Sequence, residues 1–130
     1  MNTEKPTTHI WLGALVCALY VLLGAFGAHS LKSTLTASQL DIYETGLKYM
    51  VIHGLALILT NTAYIVLHKY NRWSNFMTYC GIILFSFSLI IHATKDLAHI
   101  STNFFAILAP FGGLSFIAGW LIFTYSIRKK

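Results

Sequence analysis

The 130-residue chain is 56% hydrophobic and only 10% charged, whereas about a quarter of the residues of soluble domains are charged. This composition excludes an ordinary soluble domain and indicates an integral membrane protein. The net charge of +5 does not indicate a nucleic-acid-binding protein, because the cations are scattered at the ends of apolar stretches instead of forming one basic face. We therefore expect membrane lipids, and no nucleic acid, among the partners.

Four apolar stretches are long enough to cross a bilayer, since ~20 helical residues span the ~30 Å of hydrocarbon. They cover approximately residues 10–28, 49–68, 76–93 and 104–127. The sequence therefore predicts an all-α integral membrane protein in which residues 1–130 form a single four-helix transmembrane domain.

A cleaved signal peptide is the rival interpretation of the first stretch. Ala25 and Gly27 would then be the small residues before the scissile bond. Glu4 beside Lys5 makes a poor positively charged leader for such a peptide, so we favour a transmembrane helix.

The distribution of cations predicts the orientation in the membrane. With four crossings, the N-terminus, the loop between the second and third spans and the C-terminus share one side, which carries Lys5, Lys69, Arg72, Arg128, Lys129 and Lys130. The other side carries Lys32, Lys48 and Lys95. By the positive-inside rule we expect both termini in the cytoplasm of a bacterium, with the protein in its cytoplasmic (inner) membrane. The three tryptophans, Trp11, Trp73 and Trp120, fall toward the same cytoplasmic interface.

The first predicted span ends in Gly24-Ala25-Phe26-Gly27-Ala28-His29. Helices in a bilayer associate by close backbone approach, which small residues permit. We therefore expect Gly24, Gly27 and Ala28 to pack against another helix.

An amphipathic segment lies between the first and second spans. Thr36-Ala37-Ser38-Gln39 has the form of a capping box, and apolar residues follow it at helical spacing with charged residues between them. The pattern predicts a helix that starts outside the hydrocarbon. Two alternatives remain open from the sequence: a separate interfacial helix that bends at Gly46, or one helix that continues into the second span.

Small and polar residues form stripes on the remaining spans. Tyr49 and His53 share one face of the second span, and Asn61 lies near its middle, where an amide needs a hydrogen-bonding partner. The third span has an inward stripe of Thr78, Gly81, Phe85, Ser88 and His92. In the last span Pro110 predicts a kink, because it removes a backbone donor, and Gly112 and Gly113 follow it as packing positions.

The Gly24 to His29 stretch, Tyr49 with His53, Gly81 with Phe85-Ser86, and Pro110 with Gly112-Gly113 resemble a known family. This is the domain of unknown function 423 family of small membrane proteins, which is YgdD/YwdK-like. The resemblance covers nearly the whole chain and implies four membrane spans. Since the family has no agreed activity, the resemblance implies no reaction.

Three classes of function are compatible with these residues. We favour a non-enzymatic membrane protein that acts through helix packing with itself, as a homo-oligomer, or with a larger membrane complex, because no specific catalytic constellation is present. The first alternative is an oligomeric transporter or channel for small molecules or ions.

The second alternative is a histidine-based metal-binding membrane protein. His29 lies at the end of the first span, His53 near the start of the second and His92 at the end of the third. All three are predicted at the non-cytoplasmic side, and His99 follows His92 closely in the chain. Three imidazoles at one depth suffice for an open zinc site. No pair has the local spacing of an established zinc motif, so we expect no cofactor and keep zinc as the alternative.

Overall fold

The computed structural model describes residues 4–100 and 103–128, and these ranges fold into helices joined by short turns. The helices are α1 (Glu4–Phe26), α2 (Ala37–Val66), α3 (Arg72–Gly81), α4 (Ser88–Thr94) and α5 (Phe104–Arg128). A π-helical turn, Gly27–Leu31, extends α1, and a π-helical segment, Ile82–Phe87, joins α3 to α4. By length and composition, four continuous helical stretches can cross a membrane: Lys5–Leu31, Ala37–Val66, Arg72–Thr94 and Phe104–Arg128. The predicted all-α, four-span membrane fold is confirmed.

The amphipathic segment after the first span is the beginning of α2. The Thr36 hydroxyl accepts a hydrogen bond from the Gln39 backbone N–H at 3.3 Å, and the Gln39 side chain accepts one from the Thr36 N–H at 2.9 Å. This capping box starts a helix of 30 residues that is ~45 Å long. Because the hydrocarbon is only ~30 Å thick, part of α2 projects beyond it. Of the two alternatives, the continuous helix is correct.

α2 continues as an α-helix through Gly46, which permits a close contact between helices. A Cβ added to Gly46 would lie 2.8 Å from the carbonyl oxygen of Ser86. The absent side chain therefore lets α2 approach the backbone of the third span, and close approach of this kind is how helices associate in lipid.

The centre of the bundle is α2, which presents buried side chains at seven-residue intervals. Tyr43, Met50, Leu57 and Tyr64 are each at most 2% exposed. This spacing keeps them on one stripe of the helix. α1 packs almost entirely against α2, whereas α4 and the π-helical segment pack against α2 and α5.

The inward face of the third span is wider than the predicted stripe. Of that stripe, Gly81 and Ser88 are buried, whereas Thr78, Phe85 and His92 are partly buried. Residues outside the stripe are buried as well: Ile82, Ser86, Ile90 and Ala93. A π-helical turn holds more residues than an α-helical turn, so the buried positions do not follow the regular 3.6-residue period that the prediction assumed.

Hydrogen bonds between loops and helix ends close both ends of the bundle. At one end, the Lys69 ammonium donates to the carbonyl of Ile127 at 2.8 Å, and the Asn71 amide donates to the Ser126 hydroxyl at 2.9 Å. At the other end, the Gln39 amide donates to the Asp96 carboxylate at 2.7 Å. The loop after α2 and the end of α5 are therefore on the same side.

Candidate functional site

His53 lies inside the bundle on α2 and is 4% exposed. Its ring stacks on Phe116 of α5, with 3.4 Å between the ring centroids and 12° between the planes. Its Nδ1 is 2.8 Å from the carbonyl oxygen of Tyr49, and its Nε2 accepts a hydrogen bond from the Trp120 indole N–H at 3.4 Å. A carbonyl only accepts and an indole only donates, so these contacts fit a neutral ring protonated at Nδ1.

Tyr49 extends the stack toward the surface. Its ring centroid is 4.6 Å from that of Phe85 and 6.1 Å from those of His53 and Phe116. Tyr49 is 38% exposed, so its ring covers the outer side of the buried histidine. The cluster fills the space between α2 and α5 with aromatic rings.

The contact between His53 and Trp120 corrects one expectation from the sequence. From the sequence, Trp120 is expected at the cytoplasmic interface and His53 at the opposite end of its span. The two ring nitrogens are 3.4 Å apart, so the residues lie at one depth and the two assignments cannot both hold. The reason is that α2 begins at Ala37, well before the predicted start of the second span, so His53 lies past the middle of its helix and not at its end.

Asn61 lies about two turns beyond His53 on α2 and is fully buried. Its amide donates to the side-chain oxygen of Asn75 at 2.9 Å and to the Leu57 carbonyl at 2.8 Å. The Asn75 amide donates back to the Asn61 side-chain oxygen at 2.9 Å. The two side chains thus satisfy each other between α2 and α3.

Three further polar contacts lie toward the end of the bundle that holds the Lys69 loop. The hydroxyls of Tyr64 and Ser74 are 2.8 Å apart. The two ring nitrogens of His9 are 2.8 Å from the Tyr79 hydroxyl and 3.1 Å from the Tyr70 hydroxyl. These partners are not predicted from the sequence, because they lie at span ends, where polar residues are expected to face water. The signal in the sequence is the four-residue spacing of Asn71, Asn75 and Tyr79, with Ser74 beside Asn75, which places them near one face of α3.

Within the first-span motif, only Gly27 is in tight contact. A Cβ added to Gly27 would lie 2.6 Å from the Tyr43 ring, whose hydroxyl donates to the Leu23 carbonyl at 2.7 Å. A Cβ added to Gly24 would meet no atom within 4 Å, and Ala28 is exposed. Gly24 and Ala28 therefore do not pack closely within this chain.

Gly24 and Ala28 instead line a cavity of about 430 Å³ between α1 and α2. We call it the α1–α2 groove. Its walls include Tyr20, Gly24 and Ala28 from the first span and Tyr43, Glu44 and Lys48 from α2. The groove therefore brings the Gly24 to His29 motif close to two side chains of opposite charge, Glu44 and Lys48.

The remaining predicted positions lie around the π-helical segment and α5. The Ser88 hydroxyl donates to the carbonyls of Leu84 at 2.6 Å and Phe85 at 3.0 Å, inside that segment. A Cβ added to Gly112 would collide with the backbone N of Phe85, whereas one added to Gly113 would lie 3.7 Å from the Phe85 ring. α5 is continuous across Pro110, which is exposed.

The structure does not gather the histidines. Among the residues it describes, no group of three or more His, Cys, Asp or Glu side chains is placed to hold a metal ion. His29 is exposed at the end of the first span, while His53 uses both ring nitrogens inside the bundle. His99 lies in the turn after α4, in the left-handed backbone region at φ 54°.

Residues 23–113, from the glycine motif to the glycine pair of α5, match the model of a family described as "Protein of unknown function (DUF423)". The chain belongs to the DUF423 family. Its relatives include UPF0382 membrane protein SH2409 of Staphylococcus haemolyticus, 35% identical over 120 residues that cover 92% of this chain and 94% of that protein. UPF0382 inner membrane protein YgdD of Escherichia coli is 38% identical over 114 residues, which cover 86% of this chain and 83% of that protein. No solved structure matches the chain.

The DUF423 relatives are named as membrane proteins, and the relative from Escherichia coli as an inner membrane protein. The chain is therefore an integral membrane protein of an uncharacterised family. The matched range contains the π-helical segment, His53, the asparagine pair and the larger part of the α1–α2 groove.

Proposed function

We propose that this protein is a non-enzymatic, multi-pass membrane protein that acts by packing its helices against a second copy or a larger membrane complex. The observation that carries the proposal is the composition of the interior. Of the residues that the structure describes, no Asp, Glu, Lys or Arg is buried, and the buried histidine and asparagines bond to neighbouring groups. Proton-coupled membrane proteins usually hold carboxylates or other ionisable groups along an internal pathway, and the buried His53 already uses both ring nitrogens. We therefore infer that the working surface is the outside of the bundle.

The outer surface of α1 is the best candidate for that contact. Only 11% of its most apolar stretch is buried, against 39%, 33% and 22% in the second, third and fourth spans. The exposed side of α1 carries Ala14, Ala18 and Ala25. Small residues on an uncovered helix face allow another helix to approach its backbone, which is the main source of helix association in lipid.

We also propose that both termini lie in the cytoplasm and that the membrane is a bacterial inner membrane. The excess of cations on the side of the Lys69 loop supports this orientation. The name of the Escherichia coli relative supports the choice of membrane.

Crosslinking in native membranes, followed by mass analysis, tests the packing proposal. The wild-type chain of 14.6 kDa should be recovered in a crosslinked product that contains either a second copy of the chain or other proteins. Ala18→Leu should lower the yield of this product, because the larger side chain holds the partner helix away. Thr124→Leu enlarges an exposed residue of α5 and should leave the yield unchanged. A wild-type protein recovered only as single chains would refute the proposal.

A further inference from the structure

The α1–α2 groove has two unpaired charges at its edge. Glu44 and Lys48 lie one helical turn apart on α2 and both are exposed. Within the part of the chain that the structure describes, neither side chain forms a hydrogen bond or an ion pair, even with the other. Opposite charges at this spacing commonly pair with each other, so both are left available to a ligand.

The groove also changes from charged to apolar side chains along α2. Lys48 is the last charged residue of this helix, and none follows from Tyr49 to Val66. The wall then continues through Tyr20 and Val51, whose side chains are mainly apolar. A ligand of this groove therefore needs a polar end and an apolar end.

Gly24 keeps the apolar part of the groove open. A Cβ added to Gly24 would have no atom within 4 Å, although Gly24 lies between α1 and α2, which are in close contact elsewhere. The resulting cavity of about 430 Å³ lies within the ~300–1,000 Å³ usual for small-molecule sites. Within this chain no other backbone packs against Gly24, whereas one does at Gly46.

We propose that the α1–α2 groove binds one phospholipid of the bilayer with an amine-bearing, phosphoethanolamine-like headgroup. Lys48 binds the phosphate and Glu44 binds the ammonium group, while an acyl chain lies along Gly24 and Tyr20. A two-carbon bridge separates phosphate and amine in this headgroup, which suits two side chains that are ~5–6 Å apart on neighbouring turns. The proposal does not depend on the packing of α1 with a partner, because Ala14, Ala18 and Ala25 do not line the groove.

Native mass spectrometry of the full chain in detergent tests this site, with added phosphatidylethanolamine or phosphatidylglycerol of the same acyl chains. The wild-type protein should retain one phosphatidylethanolamine in preference to phosphatidylglycerol, which has the phosphate but no amine. Lys48→Gln should weaken retention of both lipids roughly tenfold, the effect of losing one charge-assisted hydrogen bond. Glu44→Gln should remove only the preference for phosphatidylethanolamine.

Gly24→Leu should fill the groove and abolish retention of either lipid without unfolding the protein, since the space beside Gly24 is open. A thermal melt checks that the variant remains folded.

Lys32→Gln and Asp41→Asn are matched controls, because both residues are exposed charges near the same end of the bundle that do not line the groove. Both controls should bind like the wild type. Equal retention of the two lipids by the wild type, or unchanged retention by Gly24→Leu, would overturn the proposal. Ala18→Leu should leave lipid retention intact, which separates this result from that of the packing proposal.

Discussion

The side-chain amides of Asn61 and Asn75 exchange two hydrogen bonds of 2.9 Å each, so each side chain is both donor and acceptor for the other. Neither is more than 2% exposed. α2 and α3 otherwise touch at few points, and the reciprocal pair therefore fixes the register of two helices that a short loop joins.

Replacement of Asn61 by leucine should destabilise the protein by about 1–3 kcal/mol, because the buried amide of Asn75 loses its partner. The double variant Asn61→Leu/Asn75→Leu should lose less stability than the single variant, since no unpaired polar group remains. Equilibrium unfolding in detergent measures both differences. A double variant that loses twice as much as the single one would show that the pair is not coupled.

Gly112→Ala should lower stability by about 1–3 kcal/mol, the usual cost of overpacking. The added methyl group would collide with the backbone N of Phe85 and lie 2.6 Å from the carbonyl carbon of Leu84. Backbone atoms of a helix cannot move aside as a side-chain end can. The neighbouring variant Gly113→Ala is the control, because its methyl group would be 3.7 Å from the nearest atom. Equal melting temperatures for the two variants in detergent would contradict this packing.

A fluorescent protein fused after Lys130 should fluoresce in the cytoplasm, because the side that carries more cations is retained there. Alkaline phosphatase, which is active only outside the cytoplasm, should be inactive at the same position. The same phosphatase fused after Thr34, in the turn between the first two spans, should be active. The reverse pattern of activities would refute the proposed orientation.

Protein purified without a histidine tag should contain no stoichiometric zinc, even after zinc is added, because His53 already uses both ring nitrogens. Elemental analysis of the wild type and of the His29→Ala/His53→Ala variant measures this. Stoichiometric zinc in the wild type that is absent from the variant would contradict this prediction and support the histidine-based metal site.

Several local features are predictable from the sequence because they depend on neighbours in the chain. The Thr36 to Gln39 capping box forms as predicted, since all its atoms lie within one turn. The role of Gly46 could not be predicted, because a glycine at this position permits either a bend or a close helix contact. The carbonyl of Ser86, which decides for the close contact, comes from another helix.

The sequence by itself determined that this is a four-span helical membrane protein, because the thickness of the bilayer and the need to satisfy backbone hydrogen bonds leave few other structures for such apolar stretches. Only the tertiary structure decided what the small residues do. Gly27 lies under the Tyr43 ring, whereas Gly24, three residues earlier on the same stripe, lines an open groove. The tertiary structure also placed the π-helical segment Ile82–Phe87, around which the third span buries residues outside its predicted stripe. Both outcomes depend on how side chains from distant parts of the chain fit together, and helical periodicity contains no information about that fit.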